Sequence, residues 1–309
     1  MITTVTMNPC IDKTVKIDEF KYGGLNRIKD SKIDPAGKGI NVAVAFQQLH
    51  NTAACIGINY KSQGQLIADF LDNKKIDHDF VWAEGSLRTN LKINDLKNNI
   101  TTEINENGKK ITENHINELI SKMRSLASQS DIIVFSGSVP QWVQSSVYKV
   151  LISELSDFSV KTILDTGREL LLKGIEAKPY LIKPNLAEME EAFNTEISDY
   201  SQIAELAADI IDRGVNIVCV SLGSEGAVIV NHKKAFYAPA LSVPAKGVIG
   251  AGDAMVAGMC LGIEKNSPLK KILRFGIAAA SASVIREGTQ LCQKEDFDKL
   301  QEKVVIKEI

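Results

Sequence analysis

The chain contains the stretch Gly247-Val-Ile-Gly-Ala-Gly-Asp253-Ala-Met-Val-Ala-Gly258, in which three glycines and one carboxylate precede an apolar helical pattern. A flexible turn that opens a helix points backbone N–H groups at one spot, and the helix dipole adds partial positive charge there. Such a spot suits a phosphate, and Asp253 lies beside it in the first turn. The stretch therefore predicts phosphoryl transfer to a hydroxyl, with a glycine-rich turn and a helix-capping Asp as the plain structural alternative.

The rest of the chain alternates short apolar runs with amphipathic stretches. Strand-like runs occupy residues 2–7, 53–59, 131–136, 160–165, 180–184, 216–222 and 227–230. Helical patterns occupy residues 41–49, 64–71, 113–126, 145–155, 186–192 and 201–213. This alternation predicts an α/β fold with a mostly parallel sheet covered on both faces, and ligands in such sheets bind beyond the carboxyl ends of the strands. A charged stretch at 296–308 predicts a surface helix.

Two segments, residues 14–34 and 88–107, break this rhythm because polar and apolar residues alternate along them. Alternation with period two predicts half-buried antiparallel strands, which would form a small sheet apart from the core. We interpret this sheet as a lid. The expected organisation is a single domain over residues 1–309, with lid segments of approximately 12–35 and 86–108 inserted in the α/β core.

Composition excludes several classes of protein. The chain has 309 residues, 44% hydrophobic and 24% charged, with a formal net charge of −2, so neither nucleic acid nor an acidic membrane surface is expected as a partner. Its five cysteines are far apart and its four histidines lack metal-ligand spacing, which favours a reducing compartment. The first residues lack the pattern of a signal peptide, and no apolar run is long enough to cross a membrane. We therefore expect a cytoplasmic protein.

Other polar segments fall at the ends of the predicted strands. Gly37-Lys38-Gly39 allows a polar ligand to approach the backbone, although the spacing is not that of a P-loop. Asn185 and Glu188 lie three residues apart at a helix start, where a neutral oxygen and a carboxylate can hold Mg²⁺ directly or through its waters. A helix cap explains either segment equally well.

Three further signals are ambiguous in the same way. Asp12 follows the first strand and can accept hydrogen bonds from sugar hydroxyls, or it belongs to an Asx-type turn. Arg27 and Arg88 in the lid segments can reach an anionic substrate, or they are solvated surface charges. The glycines between Ser221 and Gly226 can admit a nucleotide, or they form a tight turn.

Taken together and in this order, the segments resemble the PfkB-type carbohydrate kinases of the ribokinase superfamily over the whole chain. The matching motifs are Thr6-Met-Asn-Pro-x-x-Asp12, Gly37-Lys-Gly-x-Asn41, Asn185-x-x-Glu188, Ser221-Leu-Gly223 and Gly250-Ala-Gly-Asp253. Within that family the chain looks most like the 1-phosphofructokinase branch, with tagatose-6-phosphate kinases as neighbours. The motifs that suggest this branch are Gly23-Gly-Leu-Asn-Arg27, Arg88-Thr-Asn-Leu-Lys-Ile93, Ser136-Gly-Ser-Val-Pro140 and Glu287-Gly-Thr-x-Leu-Cys292.

The resemblance implies a ribokinase-like three-layer sandwich with a small β-sheet lid, and it implies roles for individual residues. Asp253 would be the catalytic base, and the N–H groups of Gly250, Ala251 and Gly252 would hold the charge on the transferred phosphoryl group. The sugar would be gripped by Asp12, Gly37, Lys38 and Asn41. Its phosphate would be held by Arg27, Arg88 and Ser138. ATP would lie against Lys183, Asn185, Ser221, Gly223, Gly226, Ala279 and Ser283. Mg²⁺ would be held by Asn185 and Glu188.

The implied activity is the ATP- and Mg²⁺-dependent conversion of fructose 1-phosphate to fructose 1,6-bisphosphate. A tagatose-6-phosphate kinase and a non-catalytic sugar-phosphate sensor remain as alternatives, and a homodimer through the lids is expected. The helix dipole favours the charged form of Asp253 and therefore predicts a weak base. Ala36, Val248 and Ala254 depart from the family pattern, so slower catalysis or a shifted substrate preference is expected.

Overall fold

The computed structural model describes residues 1–286 and 291–309, so residues 287–290 of the motif that ends at Cys292 lie outside the described residues. The strands are β1 (Ile2–Thr6), β2 (Cys10–Ile17), β3 (Asp30–Ala36), β4 (Ala53–Ser62), β5 (Asp77–Ser86), β6 (Arg88–Asp95), β7 (Ile100–Asn105), β8 (Ile132–Ser136), β9 (Lys161–Asp165), β10 (Leu181–Ile182), β11 (Ile217–Ser221), β12 (Ala227–Asn231), β13 (Ala235–Ala238) and β14 (Lys307–Glu308). The helices are α1 (Lys38–Gln48), α2 (Gln65–Asn73), α3 (Glu113–Ala127), α4 (Val147–Ser153), α5 (Arg168–Ile175), α6 (Leu186–Phe193), α7 (Tyr200–Asp212), α8 (Ala251–Glu264), α9 (Leu269–Val284) and α10 (Lys294–Gln301).

The large sheet has the order β14-β13-β12-β11-β10-β9-β8-β1-β4-β5 and confirms the predicted α/β class. The strands from β11 through β8 and β1 to β5 pair in parallel, and β12, β13 and β14 add an antiparallel edge. The chain leaves β1 in one direction to build β4 and β5, and it later returns to the other side of β1 with β8. Crevices at such a reversal of strand order are the usual ligand sites of open parallel sheets.

The burial of the central elements follows from this layering. Every residue of β1 is buried, because helices cover both faces of the sheet around it. Helix α8 is buried from Asp253 to Ile263, since α1 and α9 pack against it. Glycines make this packing close: a Cβ on Gly258 would lie 2.3 Å from the carbonyl oxygen of Phe275 in α9. The rigid α8–α9 pair thus fixes where the N-terminus of α8 points.

The small sheet has the order β3-β2-β6-β7 and corresponds to the two segments predicted as a lid. Each segment forms an antiparallel hairpin as expected, but β2 and β6 join the two hairpins in parallel. The prediction of half-buried strands is wrong for β7, which is exposed along its whole length, and for residues 30–33 of β3; both are edge strands of the small sheet.

The end of the chain also differs from the sequence prediction. The expected surface helix at 296–308 is shorter, since α10 ends at Gln301 and Lys307–Glu308 pair with β13 as an edge strand. None of the helices in the described ranges is long and apolar enough to cross a membrane.

Candidate active site

The N-terminus of α8 lies between two cavities. The first, here called the lid cavity, has a volume of about 800 Å³ and lies between the small sheet and the loops that follow β1, β8 and β9. The second cavity, of about 630 Å³, is bordered by the loops around β11, by residues 240–248 and by α9. Gly250 and Asp253 line the lid cavity, while Ala251 and Gly252 line the second cavity. Groups bound in the two cavities would therefore meet at this helix end.

Glycine is required at the turn that opens α8. Gly250 has φ +76°, and a Cβ there would lie 2.5 Å from Cδ2 of Leu291. A Cβ on Gly252 would meet only Nζ of Lys183, at 3.9 Å, so the space in front of this residue is open and a lysine ammonium borders it. Ala251 already donates its N–H to the carbonyl oxygen of Val248 at 3.3 Å. Open backbone, a helix N-terminus and a lysine together make a place for an anion.

Asp253 is a buried carboxylate with a raised pKa. Burial, reinforced by the nearby charge of Asp165, raises the pKa of Asp253 to about 6, although Lys38, Lys183 and a hydrogen bond from Asn41 oppose the shift. Nδ2 of Asn41 donates to Oδ2 of Asp253 at 2.8 Å. The expectation of a weak base, which rested on the helix dipole, was wrong, because burial raises the pKa of this carboxyl.

Asp165, at the end of β9, lies close to both lysines that neighbour Asp253. Its carboxylate lies 2.9 Å from Nζ of Lys183 and 3.9 Å from Nζ of Lys38, and it accepts a hydrogen bond from Oγ of Ser136 at 2.9 Å. Burial alone would raise the pKa of Asp165, but the two ammonium groups hold it below the usual value. The same carboxylate raises the pKa of Lys38 above its usual range. Lys38 is therefore held as a cation at the site, and the ammonium group of Lys183 lies against the same carboxylate.

The small sheet contributes the wall of the lid cavity that faces α8. Asp12 lines this wall and is buried. Arg88 lines it as well, and its guanidinium donates to the carbonyl oxygens of Asn8 and Glu106 and to Oδ1 of Asn90 at 2.9–3.3 Å. These bonds hold the guanidinium at the rim of the cavity.

Three more of the residues predicted to hold the sugar phosphate can be placed. Gly37 and Lys38 line the lid cavity, and so does Ser138, whose Oγ accepts a hydrogen bond from Nδ2 of Asn8 at 3.1 Å. Arg27 does not join them: it is exposed in the connection between β2 and β3 and does not line the cavity. The sequence could not place it, because this connection lies outside any regular element.

The second cavity contains three of the residues predicted to bind nucleotide. Ser221, Gly223 and Gly226 line it, and a Cβ on Gly226 would lie 2.0 Å from the carbonyl oxygen of Ala238. Ala279 and Ser283, predicted to wall the adenine, are buried and do not line the cavity. Residues on a helix face recur every three to four positions, and the face of α9 that borders the cavity carries other side chains. These are Ile277, Ala280, Ser281 and Val284.

Asn185 and Glu188 form a capping box at the start of α6. Oδ1 of Asn185 accepts the N–H of Glu188 at 2.8 Å, and Oε2 of Glu188 accepts the N–H of Asn185 at 2.9 Å. Oε1 of Glu188 remains, 3.8 Å from Nζ of Lys38, and Glu188 lines the lid cavity. No group of three or more His, Cys, Asp or Glu side chains within the described ranges could enclose a metal ion. One free carboxylate oxygen suits Mg²⁺ that keeps most of its waters.

The three departures from the family pattern have different surroundings. Ala36 ends β3 without positive φ, so its methyl group causes no backbone strain. Ala254 is fully buried inside α8. Val248 is 75% exposed and lines the second cavity, where the side chain can touch a bound ligand.

Sequence reasoning assigned no role to several polar residues that the fold brings to the site. Asn8 and Asn90 line the lid cavity, and Asp165 anchors both lysines. A signal for Asn90 was present, because Arg88, Asn90 and Lys92 alternate with Thr89, Leu91 and Ile93 along β6. The signal for Asp165 was its place at the carboxyl end of the predicted strand 160–165, but its contacts with the two lysines join residues that are distant in the sequence.

Comparison with known proteins gives a consistent result. The family model for pfkB family carbohydrate kinases matches residues 5–296. The chain is 32% identical to a 1-phosphofructokinase of Borreliella burgdorferi, over 97% of this chain and 96% of that protein. It is also 32% identical to a 1-phosphofructokinase of Bacillus subtilis, over 93% of each. Phosphofructokinase-2 of Escherichia coli, solved in complex with substrates and products, has a TM-score of 0.92 and 28% identity over 98% of each chain. Another structure of that protein is described as its tetrameric inhibited form.

Proposed function

The chain belongs to the pfkB family of carbohydrate kinases and is a sugar-phosphate kinase, and from this premise we propose that it transfers the γ-phosphoryl group of ATP to fructose 1-phosphate. The product is fructose 1,6-bisphosphate. The observation that carries the proposal is the position of the α8 N-terminus, where Asp253 faces the lid cavity and the adjacent Gly252 faces the second cavity. A sugar in the lid cavity and ATP in the second cavity would thus react across this helix end.

Asp253 is the base of the proposed reaction. The C6 hydroxyl oxygen of the sugar attacks the γ-phosphorus, and the bond from that phosphorus to the β–γ bridging oxygen breaks, so that ADP leaves with the electron pair. The hydroxyl proton passes to Oδ1 of Asp253, because Oδ2 already accepts a hydrogen bond from Asn41. A base with a pKa of about 6 is ionised at neutral pH and accepts a proton more readily than an ordinary Asp.

The transferred phosphoryl group carries charge that the start of α8 is placed to stabilise. The backbone N–H groups of Gly250 and Gly252 would donate to it, while that of Ala251 already bonds to Val248, and Lys183 lies beside Gly252. Such preorganised donors act without reorganisation when the charge develops. Mg²⁺ would neutralise phosphate charge, and it would be held through its waters by Glu188, which forms the capping box of α6 with Asn185.

The substrate phosphate is assigned to Arg88 and Ser138, and the sugar ring to Asp12, Gly37, Lys38 and Asn41. Arg88 is held by four hydrogen bonds at the rim of the cavity, as a fixed anion-binding group should be. Arg27 could take part only if the connection between β2 and β3 moved toward a sugar phosphate. The small sheet then serves as a lid that excludes water from the phosphoryl group.

The test is ADP release with Mg·ATP against fructose 1-phosphate, tagatose 6-phosphate, fructose 6-phosphate and ribose, with Asp253→Asn measured beside the wild type. We expect turnover on fructose 1-phosphate that falls by about 10²–10⁴ in the variant. Preference for tagatose 6-phosphate would replace the proposed substrate and keep the kinase. Binding of a sugar phosphate without turnover would support a sensor instead.

A further inference from the structure

A buried lysine, Lys92, lies directly behind the lid cavity and has no role in the mechanism above. It is 6% exposed, and it follows Arg88 and Asn90 at intervals of two along β6. Residues two apart in a strand share a face, so Lys92 belongs to the face that borders the cavity. Arg88 and Asn90 line the cavity itself, whereas Lys92 does not.

Lys92 forms an ion pair with Asp12, and Asp12 lines the lid cavity. Its Nζ lies 2.6 Å from Oδ2 of Asp12, and both side chains are buried. The other oxygen, Oδ1, accepts a hydrogen bond from Nδ2 of Asn90 at 3.1 Å and lies 3.5 Å from Sγ of Cys10. All three donors belong to the small sheet. A carboxylate offers about four acceptor positions, so about one remains for a ligand.

The Cys10 thiol cannot replace the lysine as a charge partner. Burial, together with the charge of Asp12, raises the pKa of Cys10 to about 12, so it stays a neutral and weak donor. Asn90 is neutral as well. Lys92 is therefore the direct cationic partner of Asp12 in this cluster, and without it the buried carboxylate would lose the ammonium group that fixes its orientation.

We infer that Lys92 is a positioning residue for the sugar: it holds the Asp12 carboxylate turned so that its remaining acceptor position receives one ring hydroxyl. The lysine does not touch the substrate. This inference rests on the proposed function, because it takes the ligand of the lid cavity to be a sugar phosphate.

The first variant is Lys92→Met, which keeps the length of the side chain and removes the charge. We expect the KM for fructose 1-phosphate to rise at least about tenfold, the change typical of one lost charged hydrogen bond. Both kcat and the KM for ATP should stay within about threefold of the wild type, since neither depends on the orientation of Asp12. Lys97→Met is the matched control, because Lys97 follows β6 on the surface and pairs with Glu19.

The second step is a double-mutant cycle with Asp12→Asn. If Lys92 acts through Asp12, adding Lys92→Met to Asp12→Asn should leave the sugar KM unchanged. The double variant replaces a buried ion pair by neutral groups and should fold even if Lys92→Met alone does not. The double variant can therefore still be compared with Asp12→Asn. Additive effects, an equal rise in both KM values, or a sugar KM within twofold of the wild type in Lys92→Met would overturn the inference.

Failure of the proposed function gives a different result. If the wild type prefers another sugar phosphate, the same four proteins are compared with that substrate. If no sugar phosphate is turned over, their Kd values for fructose 1-phosphate and tagatose 6-phosphate are measured by calorimetry. A tenfold weaker Kd in Lys92→Met that disappears in the Asp12→Asn background would support the positioning role without any catalysis, and Kd values that Lys92→Met leaves unchanged would reject it.

Discussion

A carboxylate that takes a proton from a sugar hydroxyl works best when its pKa approaches the working pH. The burial of Asp253 provides this, because desolvation raises its pKa to about 6. The same burial makes the ionised carboxylate unfavourable in the folded protein. A folded-state pKa above the unfolded value of about 3.9 means that the folded state binds the proton more tightly, so this group destabilises the fold as pH rises through 4 to 6.

The replacement Asp253→Asn should therefore stabilise the protein at pH 8, by about 3 kcal/mol at most, because two pKa units of unfavourable ionisation are removed. The gain should shrink as pH falls from 7 toward 4, where the wild-type carboxyl becomes protonated. Urea unfolding at several pH values measures it. Asp209→Asn, at an exposed site on α7, is the control and should show no such trend. A variant that is less stable than the wild type at pH 8 would contradict the raised pKa.

The fixed guanidinium of Arg88 leads to a second prediction at this scale. Arg88→Ala should raise the KM for the sugar phosphate about 10- to 100-fold and leave the KM for ATP unchanged, because only the sugar phosphate is assigned to this side chain. Initial-rate kinetics with each substrate varied in turn measure both constants. Arg124→Ala, which removes a surface arginine beside Phe158, should change neither. An unchanged sugar KM in Arg88→Ala would remove Arg88 from the site.

Within helix α8, we expect Gly258 to be needed for packing against α9 and Gly252 to be needed for catalysis, and alanine variants of the two should show the difference. A Cβ on Gly258 would lie 2.3 Å from the carbonyl oxygen of Phe275, so Gly258→Ala should force α9 away and destabilise the protein by about 1–3 kcal/mol. A Cβ on Gly252 would meet only Nζ of Lys183 at 3.9 Å, and alanine is the better helix former. Gly252→Ala should therefore fold with equal or higher Tm and still lose kcat, because its methyl group enters the phosphoryl position. Equal loss of Tm in both variants would contradict this separation.

The elements that sequence patterns could predict are those whose burial repeats along the chain. β1 and α7 have regular buried positions and were predicted close to their bounds. β5 was missed because its short apolar run lies between charged residues. β14 is a strand only because it pairs with β13, and no pattern within Lys307–Glu308 indicates that pairing. The parallel pairing of β2 with β6 likewise joins segments that are far apart in the sequence.

At the scale of the whole molecule, the sequence could predict those parts of the candidate site whose conformation depends only on neighbouring residues. The turn at Gly250 and the cap at Asn185 are local, and both are found where the sequence placed them. The raised pKa of Asp253 and the Asp165–Lys183 pair could not be predicted, because burial and contact with distant residues exist only after folding. The paired charges of Asp12 and Lys92 depend in the same way on the register of β2 with β6.

The outer face of the small sheet exposes apolar side chains that could form a dimer interface. Strand pairing puts Ile33 and Ile104 on the face turned away from the lid cavity, and they are 57% and 54% exposed. Exposed aliphatic side chains on an edge sheet are commonly covered by a partner, and a second copy of the chain offers the same surface. We therefore expect a homodimer that meets through these faces.

Replacement of Ile104 by Glu tests this dimer, because β7 is exposed throughout and the fold should tolerate the charge. The wild type should sediment as a dimer at assay concentration, and Ile104→Glu should sediment as a monomer, since the interface would then bury one unpaired carboxylate from each copy. Leu66→Glu, at a 45% exposed position on α2, should remain dimeric. A wild type that sediments as a monomer would refute the dimer, and a dimer that survives in Ile104→Glu would assign its interface to another face.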